Sequence, residues 1–175
     1  MKNGLKFESS TSLSSALDSH QMFEGKGDLI YFENQKVGQI VSQNKIYKWL
    51  ESENIDWKRL TNKQMKPDEA VFNTMNNTLY IIEKKYQETE GSVDEKLQTF
   101  WFKIWFYEKI TKDLNIEIDF AYLLSDWFFE KKYKSAWRKD TLVYEQILKY
   151  LDTNNINVFR KEIPLDYLFP DLNLL

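Results

Sequence analysis

The stretch from Glu69 to Tyr86 constrains this chain more than any other. Two short runs, EAVFNTM and TLYIIEKKY, stand on either side of Asn76 and Asn77, a pair that tolerates consecutive positive φ angles. Apolar and β-prone runs of this length, parted by a turn pair, predict a β-hairpin. The second run ends in charge, with Leu79, Tyr80, Ile81 and Ile82 followed by Glu83, Lys84 and Lys85. Side chains alternate along a strand, so Glu83 and Lys85 share a face, with Gln87 next in line if the strand continues; Lys84 points the other way. Asp68, behind Pro67 at the open end of the hairpin, is expected beside them.

The rest of the chain supplies a framework for one domain. At 175 residues, 42% hydrophobic and 16% aromatic, it can bury one substantial core but is short for two. Residues 1–26 hold five serines between Ser9 and Ser15 and lead into Gly27, which predicts an irregular, partly mobile arm ahead of a single domain over 27–175. Asp28 to Asn34 reads as a strand, and Val37 to Glu53 as a helix. Ser92 and Glu95 form a capping box for a helix from Val93 to about Leu114. A strand is expected over Ile116 to Phe129, a helix over Trp137 to Asn154, and a closing strand that stops at Pro164. The fold class is α/β, with a central mixed β-sheet flanked by helices.

Composition excludes several chemistries. With no cysteine, neither a disulfide framework nor a thiolate metal site is available. The apolar windows around Phe100 to Tyr107 and Phe120 to Phe129 are interrupted by charge well short of a membrane span, so no membrane partner is expected. The first twenty residues lack the apolar stretch of a secretory signal, and a cytoplasmic protein is the expectation. A net charge of −3 speaks against indiscriminate nucleic-acid binding and leaves local patches to decide. One patch has Lys45, Lys48, Lys58, Arg59, Lys63 and Lys66 among Tyr47, Trp49 and Trp57; another has Lys131, Lys132, Lys134, Arg138 and Lys139 around Tyr133 and Trp137. Each reads equally as a solvated face or as a contact for phosphates and bases.

Asp68 and Glu83 define a chemistry. Two carboxylates at one spot repel each other, and a divalent cation offsets that repulsion. With no His or Cys nearby, the hard oxygen donors suit Mg²⁺, with Mn²⁺ as a substitute. Such an ion polarises a phosphodiester and acidifies a bound water, while the Lys85 ammonium stabilises phosphoryl charge or orients the attacking water. The expected reaction is phosphodiester hydrolysis.

Pro67-Asp68, fourteen residues, then Glu83-Lys84-Lys85 resembles the signature of the PD-(D/E)XK nuclease superfamily, the fold of many type II restriction endonucleases. Gln87 extends it to the E-x-K-x-Q form, and GSVDEKLQT is similar to the segment that succeeds the motif strand in several restriction-type nucleases. The resemblance, over roughly Gln39 to Val158, implies a restriction-endonuclease-like core: a helix, a three-stranded meander, then helix, strand and helix. The first meander strand, sought between Ile55 and Lys66, shows little alternation there. It implies metal binding by Asp68 and Glu83 with the Lys84 carbonyl, and a catalytic Lys85; Glu51 or Glu53 would be the glutamate that the first helix supplies in some members. It implies an Mg²⁺-dependent endonuclease acting on double-stranded DNA, a type II restriction endonuclease first, with repair and phage nucleases or a non-catalytic binding module of the same fold as alternatives.

Two features stand apart. TFWFKIWFYEKI (Thr99 to Ile110) is apolar nearly all round, which predicts a helix buried in the core, or one whose surface serves a homodimer that presents two sites to two strands. His20, the single histidine, falls in the Ser-rich arm and is not expected to act as a base.

Overall fold

The computed structural model describes residues 2–88, 93–132 and 142–174. The chain begins with α1 (Lys2–Ser10), α2 (Leu13–Asp18), β1 (Phe23–Lys26), β2 (Leu29–Phe32) and β3 (Gln35–Ile40). Next come α3 (Lys45–Ser52), α4 (Trp57–Leu60), β4 (Glu69–Asn73) and β5 (Thr78–Lys85). The middle of the chain continues with α5 (Val93–Leu97), α6 (Phe100–Thr111), a 3-10 turn (Lys112–Leu114) and β6 (Glu117–Leu124). The chain closes with α7 (Trp127–Glu130), α8 (Glu145–Thr153), β7 (Asn157–Arg160) and α9 (Leu165–Leu168).

The strands form one seven-stranded mixed sheet in sequence order. Pairing is antiparallel from β1 through β5 and parallel from β5 through β7. The connections follow this change: tight turns reverse the chain between β1 and β2, β2 and β3, and β4 and β5, the longer α3–α4 connection reverses it between β3 and β4, and α5 with α6, and later α8, return it for parallel addition. With helices on both faces, the sheet is the expected α/β architecture. Among the described residues, no helix is long and apolar enough to cross a membrane.

Alternation sorts the core into two layers. Leu79 and Ile81 of β5 and Phe120, Tyr122 and Leu124 of β6 face α3, α4, α6 and α8. Tyr80, Ile82, Ala121 and Leu123 face the other way, toward Leu13, Leu17, Leu168 and Phe169. Both strands are closed on both faces, which explains why they read as continuous apolar runs.

Several boundaries differ from expectation. The Ser-rich start is not irregular: Ser12 caps α2 by accepting from Ser15 N, and Leu13 and Leu17 are buried. The expected helix from Val37 gives way to strand as far as Ile40, and α3 begins at Lys45. The strand that pairs with β4 ahead of β5 is thus β3, so α3 and α4 fall between the first and second of these three strands rather than before them, and no strand forms within Ile55 to Lys66. Gly38 serves this pairing, since a Cβ there would lie 2.9 Å from the Phe72 carbonyl oxygen. Between β4 and β5 only Asn77 of the two asparagines has positive φ; the turn is held instead by the buried Asn73, whose Oδ1 accepts from Met75 N at 2.7 Å. The helix expected from Val93 to Leu114 is broken between α5 and α6, and Ser92 of its capping box lies outside the described residues. The apolar run to Phe129 leaves the sheet at Leu124 and ends in α7, while the helix expected from Trp137 is described only from Glu145.

Candidate active site

β4 and β5 bring the site together. Their register pairs Glu69 with Ile82, and one step further along it sets Asp68 opposite Glu83 at the open end of the hairpin. The backbone N–H of Lys84 donates to Asp68 Oδ2 at 2.8 Å, fixing the carboxylate against β5. Glu83 and Lys85 continue the face of Leu79 and Ile81, whereas the Lys84 side chain passes through to the opposite layer.

Lys85 is the centre of this arrangement. Its ammonium donates to Glu83 Oε2 at 3.0 Å and to the Lys84 carbonyl at 2.9 Å, and it lies 3.5 Å from Asp68 Oδ2. Three oxygens from Asp68, Glu83 and Lys84 therefore converge on one cation. The environment is graded, with side-chain exposures of 7% for Glu83, 16% for Lys85 and 36% for Asp68, so the cluster opens to solvent on the Asp68 side.

This donor set fits a divalent metal. Two carboxylates and a carbonyl are hard oxygen ligands, and the Lys85 ammonium occupies the point that they share as a monovalent stand-in. Among the described residues, no three His, Cys, Asp or Glu side chains group closely enough to form a metal site of their own. A cation here would complete its shell with water and substrate oxygens, as Mg²⁺ commonly does.

Gln87 lies two residues beyond β5 and is buried. Its Nε2 donates to the Tyr144 hydroxyl at 3.0 Å, and its backbone exchanges hydrogen bonds of 3.1 Å with Ser125 Oγ. Trp127 Nε1 donates to the same Tyr144 oxygen at 3.3 Å. The strand end is thereby tied to α7 and to the start of α8. A cleft of about 720 Å³ begins at Gln87, lined among others by Tyr86, Ser125, Trp127 and Lys132.

The structure adds two residues that the sequence did not mark. Lys103 of α6 reaches Glu83 Oε2 with its ammonium, so this carboxylate carries two lysines. One turn further along α6, Tyr107 is fully buried and its hydroxyl finds no partner among the described residues. Burial, then the Glu83 charge, then Tyr47 and Asp68, push this hydroxyl far above the usual tyrosine range, so it stays protonated. Burial and Glu83 do the same to Tyr122, whose hydroxyl donates to the carbonyls of Lys96 and Leu97. Lys103 had a sequence signal, as a lone cation inside the apolar run from Phe100 to Tyr107. Tyr107 had none among so many aromatics.

Other expected participants lie elsewhere. Glu51 accepts from Trp57 Nε1 and pairs with Lys58 at 3.3 Å, and Glu53 is exposed at the end of α3; among the described residues neither contacts Asp68 or Glu83. Tyr47, Trp49 and Trp57 are buried in the core and cannot stack on bases, while Lys45, Lys58 and Arg59 pair with Asp28, Glu51 and Asp56. Of the second patch, Tyr133, Lys134, Trp137, Arg138 and Lys139 lie outside the described residues. α6 is not buried all round: Phe100, Phe106, Tyr107 and Ile110 are, but Trp101, Phe102 and Trp105 are 54%, 58% and 51% exposed. His20 packs against Phe23 and accepts from Met22 N, remote from the carboxylates in the sheet order.

Comparison with known proteins bears on the family of the chain. A family model described as PD-(D/E)XK nuclease superfamily domain matches residues 11–104, more than half of the chain, from the start of α2 into α6. Neither the curated proteins nor the solved structures yield a match.

Proposed function

The chain belongs to the PD-(D/E)XK nuclease superfamily, and from that premise we propose that it is an Mg²⁺-dependent endonuclease that hydrolyses phosphodiesters of double-stranded DNA, as a type II restriction endonuclease does. The observation that carries the reading is the convergence of Asp68, Glu83 and the Lys84 carbonyl on one cation position at the open end of the β4–β5 hairpin.

When bound, the divalent metal supplies charge neutralisation at the phosphate and a more acidic water. Asp68, Glu83 and the Lys84 carbonyl would hold it, and the Lys84 N–H keeps Asp68 turned toward β5. Lys85, whose ammonium yields that shared point to the cation, donates to a phosphoryl oxygen as its charge grows. In the hydrolysis the water oxygen bonds to phosphorus, the bond from phosphorus to the leaving oxygen breaks, that oxygen takes up a proton, and the water loses one. Gln87 acts at one remove, holding the end of β5 through Tyr144 and Ser125. Exposed Lys48, Lys63 and Lys66 add cations for the duplex backbone.

A homodimer belongs to the same proposal, because cutting both strands calls for two sites. The exposed Trp101, Phe102 and Trp105 offer the apolar area that such an interface needs. Light scattering of the DNA-free protein at micromolar concentration is expected to give twice the chain mass; a monomer mass counts against this part.

Cleavage itself is tested with plasmid and phage DNA in Mg²⁺, using wild type beside Asp68→Ala, Glu83→Ala and Lys85→Ala. Discrete fragments from wild type alone are the expected outcome. Equal inactivity of all four proteins on several DNA substrates would point instead to a non-catalytic binding module and defeat the proposal.

A further inference from the structure

Glu83 holds two ammonium groups, and they are not equivalent. Lys85 is saturated, with Glu83 Oε2, the Lys84 carbonyl and Asp68 Oδ2 around it. Lys103 makes one polar contact among the described residues, to Glu83. An ammonium has three N–H donors, so two of those on Lys103 are uncommitted although its side chain is only 16% exposed.

The placement of this lysine is costly without an anion. α6 is otherwise apolar from Phe100 to Tyr107, and its other nearby cation, Lys109, lies over the Trp105 ring at 5.1 Å. A cation withdrawn from water needs a carboxylate or another anion beside it. Lys103 has Glu83 alone, and Asp68 is engaged by Lys84 N and Lys85. Any cation that Glu83 takes up competes with Lys103 for Oε2. The anion that enters the site at that stage is the phosphodiester, with non-bridging oxygens to accept both free donors.

We infer that Lys103 is a second catalytic lysine, which binds a non-bridging oxygen of the scissile phosphate from the α6 side while Lys85 acts from β5. The inference rests on the reading of the chain as a nuclease. It assigns Glu83 a second task, as the group that stores the Lys103 ammonium in the site until substrate arrives.

The test compares wild type, Lys103→Met and Lys103→Arg in two measurements on the full chain. In the first, supercoiled plasmid is cut at saturating Mg²⁺ and kcat is separated from KM. Lys103→Met is expected to melt at the wild-type temperature and lose about 100-fold in kcat, the scale of one preorganised charge-stabilising donor. Lys103→Arg should recover much of it, because guanidinium also donates to phosphate. In the second, labelled duplex is bound in Ca²⁺ at several salt concentrations. Lys103→Met should lower the slope of log K against log salt by about one, the signature of one lost phosphate contact.

Unchanged kcat at saturating Mg²⁺ with an unchanged salt slope would overturn the inference and leave Lys103 a simple counter-ion of Glu83. A lowered melting temperature with equal losses in the Met and Arg variants would overturn it as well, in favour of a structural role. Failure of the nuclease reading looks different: wild type leaves every DNA intact in Mg²⁺ and Mn²⁺, and the salt slope alone then decides whether Lys103 touches phosphate.

Discussion

Two ion clusters sit at the end of β5, built from adjacent residues of the same types, and they have opposite characters. On one face Lys84 donates to Glu69 Oε1 at 2.7 Å and to the Glu8 carbonyl at 3.2 Å, while Leu13 N and Ser42 Oγ donate to the Glu69 oxygens. Side-chain exposures of 5% and 14% seal this pair between α1, α2, β4 and β5. On the other face Glu83, Lys85, Asp68 and Lys103 make an equally dense cluster that opens to solvent at Asp68 and, among the described residues, leaves two Lys103 donors uncommitted and the Tyr107 hydroxyl behind it without a partner. A satisfied network holds a fold in place, and one with spare capacity can receive a ligand. Residue type alone does not separate the two; strand parity and the exposure of Asp68 do.

The sharpest way to break this contrast is to damage the open cluster and look for a stability loss. Asp68→Ala is expected to reduce DNA cleavage on the order of 1,000-fold or more, since one charge-stabilising group is already worth about 100- to 1,000-fold. Its urea unfolding midpoint should stay near that of wild type, because Asp68 is the most exposed member. Cleavage at the wild-type rate, or a collapse of folding, would remove the distinction.

The complementary change is Lys84→Met. It leaves Glu69 charged in a sealed site and is expected to cost about 3–5 kcal/mol of folding stability, measured by denaturant titration. The protein that remains folded should still cut DNA, because Lys84 serves the open face through its backbone N–H and carbonyl, which methionine keeps. Adding Glu69→Gln should return a large part of the loss, as no unpaired charge then remains buried. An unaltered midpoint in Lys84→Met would show that the pair carries no structural weight.

Much of the open cluster was legible because strand periodicity is a local property. The apolar run from Leu79 to Ile82 fixed the parity of Glu83 and Lys85, and a hairpin turn near Asn77 set Asp68 against them. What escaped depends on contacts distant in sequence. β3 reads QKVGQI, too polar to announce a strand, and it forms because Gly38 lets it lie close against Phe72 and Phe169. Lys103 meets Glu83 only after α6 folds back over the sheet, twenty residues away. Serines at the start suggested an irregular arm, yet Ser12 caps a helix and Leu13 and Leu17 supply the apolar anchors. The exposed side of α6 was hidden for a different reason: aromatic composition shows that a surface is sticky but not which way it faces.

The finest distinction concerns Tyr107, which lies against the open cluster but belongs to the core. Its buried hydroxyl has no partner among the described residues, so Tyr107→Phe is expected to leave stability unchanged or raise it by about 1 kcal/mol at neutral pH. The pH dependence gives a second measure. An unfolded tyrosine ionises near 10, whereas burial and the Glu83 charge hold folded Tyr107 protonated well beyond that. The unfolded state therefore binds fewer protons above about pH 10, and stability must fall as pH rises through that point. Below it, both states are protonated and the group contributes no slope. Tyr107→Phe should remove one proton's share of the alkaline loss, leaving the shares of the other tyrosines shifted in the same direction, Tyr122 and Tyr167 with the largest shifts and Tyr47, Tyr80 and Tyr86 with smaller ones. A stability loss above about 1 kcal/mol in this variant at pH 7 would mean that the hydroxyl is a satisfied structural bond. The face behind Glu83 would then be as closed as the one behind Lys84, and the contrast between the two clusters would narrow to Asp68 and Lys103.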